Sequence, residues 1–321
     1  MKACNICGNT DDNKIHNVGD HWYGTPERFN YIECSACSCL QIETIPNNFS
    51  SYYDNDDYYS FKPLDRSAGK CKIFVKKNIY KISELSLKLN NKRMMGIFPG
   101  PNFLPWLSKA KVKFTSHILD IGCGIGDLLL YMQSYGFSEL VGIDPFLDAD
   151  IHYPCGLDIY KKYPTEIDSK FDFIMMHHSL EHIPDQHAIF KTLDQLLNPG
   201  GYCMIRLPVV SSYAWHEYGL NWWCIDAPRH LYLHSDKSIQ LLADSVNLEV
   251  VDKICDSSEL QFIASEEIGK GICVLSEGSY FTSQPNSHYS SDYIQSLAAR
   301  AEELNKQGNG DMAGYFLRKP A

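Results

Sequence analysis

Two cysteine pairs open the chain: Cys4 and Cys7 in Cys-Asn-Ile-Cys and, further along, Cys34 and Cys37 in Cys-Ser-Ala-Cys. Two residues between cysteines let a tight turn aim both sulfurs at one ion. Two such turns complete a tetrahedron of thiolates with no open position, the coordination of a structural zinc ion. Cys39 is an alternative fourth ligand, although the symmetric spacing favours Cys37. Unmetallated thiols and a redox pair are the competing readings.

A second constellation is Ile118-Leu-Asp-Ile-Gly-Cys-Gly-Ile-Gly-Asp-Leu, which crowds Asp120, Gly122, Cys123, Gly124 and Gly126 into one turn. Missing side chains let the backbone approach a ligand there. Gly126 follows Gly124 after a single intervening residue rather than two, so the dinucleotide fingerprint is not matched. The next residue, Asp127, would repel a pyrophosphate at a helix N-terminus and suits a ligand carrying positive charge. Beyond the helix, Val141-Gly-Ile-Asp144 ends on a carboxylate placed to accept hydrogen bonds from a ribose diol.

Titratable side chains gather in two further places. His177, His178, Glu181 and His182 follow the apolar run from Phe171 to Met176, and Asp226, Arg229 and His230 lie in an aromatic stretch. Imidazoles titrate near neutral pH, so either group can supply a general base; a structural hydrogen bond is the alternative for each one singly. Tyr213, Trp215, Tyr218, Trp222 and Trp223 offer either a stacking platform for a sugar or nucleotide or the packed core of a lid.

Rigid elements must hold these groups, and the hydrophobic periods supply them. Strands are predicted over Ile118 to Ile121, Leu140 to Asp144, Phe171 to Met176, Tyr202 to Leu207 and Leu248 to Ile254. Helices are predicted over Gly126 to Tyr135, Asp185 to Leu197 and Ser235 to Val246. The alternation predicts an α/β fold with a doubly wound, Rossmann-like, mostly parallel sheet whose ligand lies at the carboxyl ends of the strands. Ahead of it, Phe29-Asn-Tyr-Ile-Glu33 reads as a strand entering the second cysteine turn, which gives a zinc ribbon over about residues 1–48. Residues 49–107 read as a linker and helical segment, helical from Lys70 to Met95, and residues 108–321 as the main domain with an aromatic insertion at about 209–234.

With 44% hydrophobic residues in 321, the chain can bury a core, which excludes disorder or coiled coil as the dominant state. The net charge of −10 repels phosphate backbones and argues against a nucleic-acid partner. No apolar run reaches the about 20 residues that span a bilayer. Met-Lys-Ala-Cys-Asn-Ile-Cys lacks the apolar stretch of a secretory signal, which predicts a cytoplasmic location with reduced cysteines. The eight singly placed cysteines then read as small buried hydrophobes.

The glycine turn, the strand-end acid and the alternation together resemble the class I S-adenosylmethionine-dependent methyltransferases, whose first motif is commonly D-x-G-x-G-x-G. The resemblance covers about residues 115–255, where Leu197-Asn-Pro-Gly-Gly-Tyr is similar to the family's helix-to-fifth-strand turn. It implies S-adenosylmethionine as cofactor, with Gly122, Gly124 and Gly126 against its methionyl and ribose parts and Asp144 on the ribose. It also implies Leu157 and Asp158 near the adenine, and Asp120, Cys123 and His177 in the same site.

A narrower resemblance spans nearly the whole chain. The four-cysteine ribbon, the linker tyrosines Tyr52, Tyr53, Tyr58 and Tyr59, the Leu-Glu-His turn and Trp222-Trp-Cys-Ile-Asp-Ala-Pro-Arg-His230 resemble bacterial methyltransferases of sugar and surface-glycan pathways. This implies a sugar, nucleotide-sugar or glycan acceptor. The long extra C-terminal domain of the sugar C-methyltransferases is lacking, which favours O-methylation. The rivals are sugar C-methylation, a zinc-ribbon RNA methyltransferase, which the charge disfavours, and an NAD-dependent oxidoreductase, which the glycine spacing disfavours. Proton removal is assigned to His230, with His178 positioning the acceptor and Glu181 orienting a neighbour. In quinone-pathway O-methyltransferases a Glu-x-x-Glu-His turn holds a divalent ion. The matching residues here are His178, Glu181 and His182, and imidazole in place of the first carboxylate weakens magnesium binding.

Overall fold

The computed structural model describes residues 2–53, 70–97, 100–283 and 288–321; the expected linker residues Tyr58 and Tyr59 lie outside them. Three antiparallel strands, β1 (Lys14–Gly19), β2 (Arg28–Glu33) and β3 (Leu40–Ile42), form the ribbon. Its second cysteine turn closes where the Ser38 N–H donates to the Cys34 carbonyl at 2.8 Å and the Cys34 N–H to that of Cys39 at 3.0 Å.

Helix α1 (Lys70–Lys88) ends sooner than its periodicity predicts. Asn90 takes a left-handed φ of 50°, which asparagine tolerates, and the Asn91 side chain then accepts the Met94 N–H at 3.1 Å to start α2 (Lys92–Ile97). Helix α3 (Leu104–Lys109) completes this segment.

The main sheet contains β4 (Ile118–Ile121), β5 (Leu140–Ile143), β6 (Ile151–His152), β7 (Asp158–Tyr160), β8 (Phe171–His177), β9 (Leu197–Pro208), β11 (Glu249–Cys255) and β12 (Met312–Arg318), in the order β11-β12-β9-β8-β4-β5-β7-β6. Strands β9, β8, β4, β5 and β7 run parallel, whereas β12 is antiparallel to both its neighbours. The doubly wound, mostly parallel sheet expected from the sequence is therefore present. Helices α4 (Asp127–Ser134), α5 (Gln186–Leu196), α6 (Tyr213–Tyr218), α7 (Asp236–Asp244), α8 (Leu260–Gly269), α9 (Tyr280–Ser283) and α10 (Ser291–Lys306) complete the chain. Strand β8 shows why a near-continuous apolar run forms a central strand. Its Phe173 and Met175 join a core with Tyr80, Leu107 and Leu129, while Ile174 and Met176 join the opposite core with α5 and the ribbon.

The insertion supplies β10 (Tyr232–Leu233), which pairs with β3 and extends the ribbon to the order β1-β2-β3-β10. Ribbon and insertion thus share one sheet. No helix among the described residues is long and apolar enough to cross a membrane.

Candidate functional site

The chain's strand order reverses beside β4, whose neighbours are β8 and β5, and ligand crevices form outside strand ends at such a point. A cavity of about 490 Å³ opens there, lined by Gly122 and Gly124 of the turn, Asp144 and Phe146 after β5, Tyr163 to Thr165 after β7, and His178, Ser179 and His182 after β8. The inner face of α5, with Ala188, Ile189 and Thr192, closes one wall and Tyr53 another.

The glycines of the turn are required by both backbone and space. Gly122 has φ 75°, and a Cβ there would meet the Ser179 Cβ at 2.5 Å; Gly126 has φ 83°, and a Cβ there would meet Ile159 at 2.5 Å. Ser179 locks under this turn by donating its hydroxyl to the Ile121 carbonyl at 2.9 Å. Asp144 ties turn and strand end together, since one carboxylate oxygen accepts the Gly124 N–H and the other the Phe146 N–H, both at 2.9 Å. Each oxygen keeps a lone pair for a further donor. Burial raises the Asp144 pKa, opposed by those two N–H groups.

Asp120 lies beneath, 3% exposed, with Oδ1 unpartnered; burial and the Asp144 charge raise its pKa to about 7. An orphaned carboxylate, a side-chain-free cradle, a carboxylate with spare acceptor capacity and apolar walls fit a cationic adenosyl cofactor. Asp120, Cys123, Gly126 and His177 are not among the lining residues. His177 packs its ring 4.9 Å from that of Trp106, with Nε2 buried and unpartnered, and burial followed by the Arg206 charge lowers its pKa to about 3. Leu157 and Asp158 also lie off the cavity. Leu157 is buried behind Gly126, and Asp158 bonds His152 at 2.8 Å on the surface. The wall after β7 comes from Tyr163, Pro164 and Thr165 instead.

Beside the cavity, Glu181, His182 and His230 bring one ligating atom each within 4.8 Å of the others. The His230 Nδ1 lies 2.8 Å from the Cys224 carbonyl, which can only accept, so the proton sits on Nδ1 and the Nε2 lone pair is free, 4.0 Å from Glu181 Oε1. The His182 Nδ1 likewise meets the Arg229 carbonyl at 2.9 Å. Burial lowers both pKa values, that of His230 to about 4. Glu181 is fully buried and neither oxygen has a hydrogen-bond partner. Burial raises its pKa, yet the adjoining imidazoles, His178 first, outweigh that and hold it at about 2.

His178 sits at a left-handed φ of 51°, with Nδ1 3.4 Å from Glu181 and Nε2 bonded by the Arg206 guanidinium. Arginine only donates, so Nε2 is already an occupied acceptor. The cluster therefore differs from the triad that the resemblance implies: His230 takes the third place, because the β3–β10 pairing carries residues 229–233 over the Leu-Glu-His turn. The Tyr31 hydroxyl donates to the His230 carbonyl at 2.7 Å, and the Leu231 N–H donates to that of Glu181 at 2.8 Å.

The other candidates of the insertion are structural. Arg229, 2% exposed, pairs with Asp226 and with Asp20 of the ribbon at 2.9 Å. Trp222 is buried, and both it and Trp223 donate their indole N–H groups to Asp311 at 3.0 Å. Trp222 is packed core, and Trp223 stacks beside it on Trp22 of the ribbon side at 5.8 Å.

The Cys4, Cys7, Cys34 and Cys37 sulfurs lie within 4.8 Å of one another, with Cys4 to Cys37 at 3.6 Å and Cys7 to Cys34 at 3.5 Å. Zinc–sulfur bonds of about 2.3 Å imply tetrahedral edges of roughly 3.8 Å, so the set fits a zinc ion. Cys39 lies outside the cluster, and burial raises its pKa and keeps it a thiol.

Sequence reasoning passes over Phe146, Ser179, Arg206 and the Tyr163 to Thr165 turn. Only Phe146, just beyond the strand-end acid, carries a local signal. Tyr53 is legible as one of the linker tyrosines without a role; its hydroxyl lies 3.0 Å from His182 Nδ1 and its ring stacks on Phe146 at 5.3 Å.

Comparison with known proteins adds a family. A profile described as a methyltransferase domain matches residues 76–253, more than half of the chain. Phosphoethanolamine N-methyltransferase 1 of Arabidopsis thaliana is 32% identical over 130 residues, covering 35% of this chain and 26% of that protein. The ubiquinone biosynthesis O-methyltransferase of Proteus mirabilis (strain HI4320) is 29% identical over 125 residues, covering 34% and 51%. The chain thus spans about half or less of the curated relatives it matches. Among solved structures, an S-adenosylmethionine-dependent methyltransferase from Methanosarcina mazei aligns with TM-score 0.41 at 16% identity, covering 67% of this chain and 97% of that one.

Proposed function

The chain belongs to the methyltransferase-domain family, and from that premise we propose that it is an S-adenosylmethionine-dependent methyltransferase acting on a hydroxyl of a sugar, nucleotide-sugar or glycan. The observation that carries the reading is the cavity at the ends of β4, β5 and β8, where Gly122, Gly124 and Asp144 meet apolar walls in a site suited to an adenosyl ligand, with the unpartnered Oδ1 of Asp120 buried beneath. The membership also disposes of the NAD-dependent alternative. The matched relatives are named for N-, O- and C-methyltransfer alike, so the acceptor rests on the resemblance of the ribbon and the Trp222 to His230 segment to glycan-pathway enzymes.

When bound, the cofactor supplies an electrophilic methyl group. Gly122 and Gly124 would hold it through close backbone approach, Asp144 would accept from its ribose, and Asp120 beneath the turn would offset its positive charge. His230 then takes the acceptor proton on Nε2, the nitrogen its Cys224 bond leaves free, and Glu181 stabilises the imidazolium formed. His178, braced between Arg206 and Glu181, positions the acceptor. The ribbon holds a structural zinc ion and, through Tyr31 and Asp20, fixes the segment that carries His230.

One observation favours a second reading of the same cluster. Two free Nε2 lone pairs and two orphaned carboxylate oxygens are what a divalent ion would satisfy, so Glu181, His182 and His230 could ligate a metal instead of moving a proton. Labelled S-adenosylmethionine offered with a panel of nucleotide-sugars tests the proposal, comparing His230→Ala and His178→Ala. A base costs about 100-fold or more in rate with cofactor affinity intact. A near-full rate for His230→Ala overturns the assignment to His230, and turnover abolished by a chelator that leaves the ribbon's zinc in place transfers the cluster's role to a metal ion.

A further inference from the structure

We propose that α1 and α2 form a peripheral docking element for an anionic lipid surface. Between residues 70 and 93 the sequence has eight basic residues and one acidic, against 21 basic and 38 acidic elsewhere. A chain of net charge −10 therefore concentrates +7 in one short segment. That segment and the end of α2 also expose apolar side chains: Phe74 (69%), Val75 (55%), Leu85 (53%), Leu89 (64%) and Ile97 (62%) are five of the ten exposed large hydrophobic residues among the described ones.

The helix geometry sets Phe74, Leu85 and Leu89 on one side. Phe74 and Leu85 are about three turns apart, and Leu89 follows one turn later. The opposite side is spoken for. Tyr80, Ser83 and Ser86 are buried, Tyr80 lies against Phe103, Phe114 and Phe137, and Lys76 reaches inward to Ser134 at 2.9 Å. The exposed cations Lys81 and Lys88 share the outward side, Lys88 paired with Glu84 at 2.8 Å, while Lys72 and Arg93 stand exposed towards the two ends.

A surface helix with exposed apolar side chains flanked by lysines is the pattern that seats at the headgroup boundary of an anionic bilayer. Charge complementarity selects that occupant: the basic segment is drawn to the surface while the remaining 38 acidic residues are repelled, which fixes one orientation. An exposed apolar stripe of this extent otherwise marks an interface between copies of the chain. The inference does not depend on the methyl-transfer reading.

The experiment is cosedimentation of the full chain with phosphatidylcholine vesicles, with and without phosphatidylglycerol, at low and high salt. The expected result is binding to the anionic vesicles only, released by salt. Each lysine near the surface contributes about fivefold, so Lys72→Glu/Lys81→Glu lowers partitioning by at least about tenfold. Phe74→Ser/Leu85→Ser does the same, and both variants keep the wild-type melting temperature, which shows them folded. Absence of binding to anionic vesicles, equal binding to neutral ones, or a dimer in light scattering that Phe74→Ser/Leu85→Ser dissociates overturns it.

Discussion

Two buried carboxylates flank β4 at the carboxyl ends of its neighbours, and the fold treats them oppositely. Asp144, after β5, spends each oxygen on a backbone N–H and so welds the glycine turn to its own strand. Glu181, after β8, is more deeply buried and has no hydrogen bond at all, only imidazoles around it. A buried carboxylate left unsatisfied costs free energy that a folded chain tolerates where the charge has a task. On the proposed function, the satisfied one is a scaffold that also accepts from the cofactor. The unsatisfied one is kept to face a cation, an imidazolium or a metal ion.

The largest expected effect lies in the ribbon that holds the Glu181 side in place. Cys34→Ser should abolish zinc retention, near one ion per chain by elemental analysis in the wild type. It removes on the order of 10 kcal/mol of metal-linked folding energy, seen as loss of the cooperative melt. Metal-free wild type with an unchanged melting temperature would sink the ribbon's role.

Next, Glu181→Gln should slow methyl transfer by about 100-fold or more while adenosylhomocysteine affinity stays within about twofold. Equal losses in both would erase the contrast between the two carboxylates.

Asp120 sharpens it through pH. Its folded-state pKa of about 7 exceeds the ordinary value of about 3.9, so the folded chain holds the proton more tightly. That contribution is complete below about pH 4 and lost as pH rises through about 7, a loss on the order of a few kcal/mol. In urea unfolding, the stability of Asp120→Asn relative to the wild type should therefore rise steadily from about pH 4 to about pH 7 and level off above. A pH-independent difference counts against a buried, shifted Asp120.

The smallest effect belongs to Tyr53→Phe, which removes a hydroxyl 3.0 Å from His182 and 3.2 Å from the Arg229 carbonyl. Contacts of this kind contribute about 0.5–1.5 kcal/mol, so transfer should slow by roughly two- to tenfold. Loss beyond about 100-fold by the same assay would place Tyr53 in the chemistry itself.

The two sides of the site were unequally legible in the sequence. Gly122, Gly124 and Asp144 could be read because their geometry is local: a turn and the next strand end, whose backbone demands glycine and whose position demands an acid. The Glu181 side was legible only as a collection of candidates. Its third member, His230, arrives through the pairing of β10 with β3, in which Tyr232 meets Gln41 from the far end of the chain, a contact that no local spacing encodes. Leu157 and Asp158, expected near an adenine, lie off the cavity for a similar reason. Strand β7 is short, only Asp158 to Tyr160, and hairpins with β6, so the turn that follows it lines the cavity instead.

The most direct measurement is calorimetric titration of adenosylhomocysteine into the wild type and into Asp144→Ala. Binding at one site per chain, weakened by the about 1.5–3 kcal/mol of a charge-assisted hydrogen bond, or at least about tenfold, is the predicted result. No binding to the wild type, or equal binding to both, would contradict a cofactor site at the ends of β4 and β5.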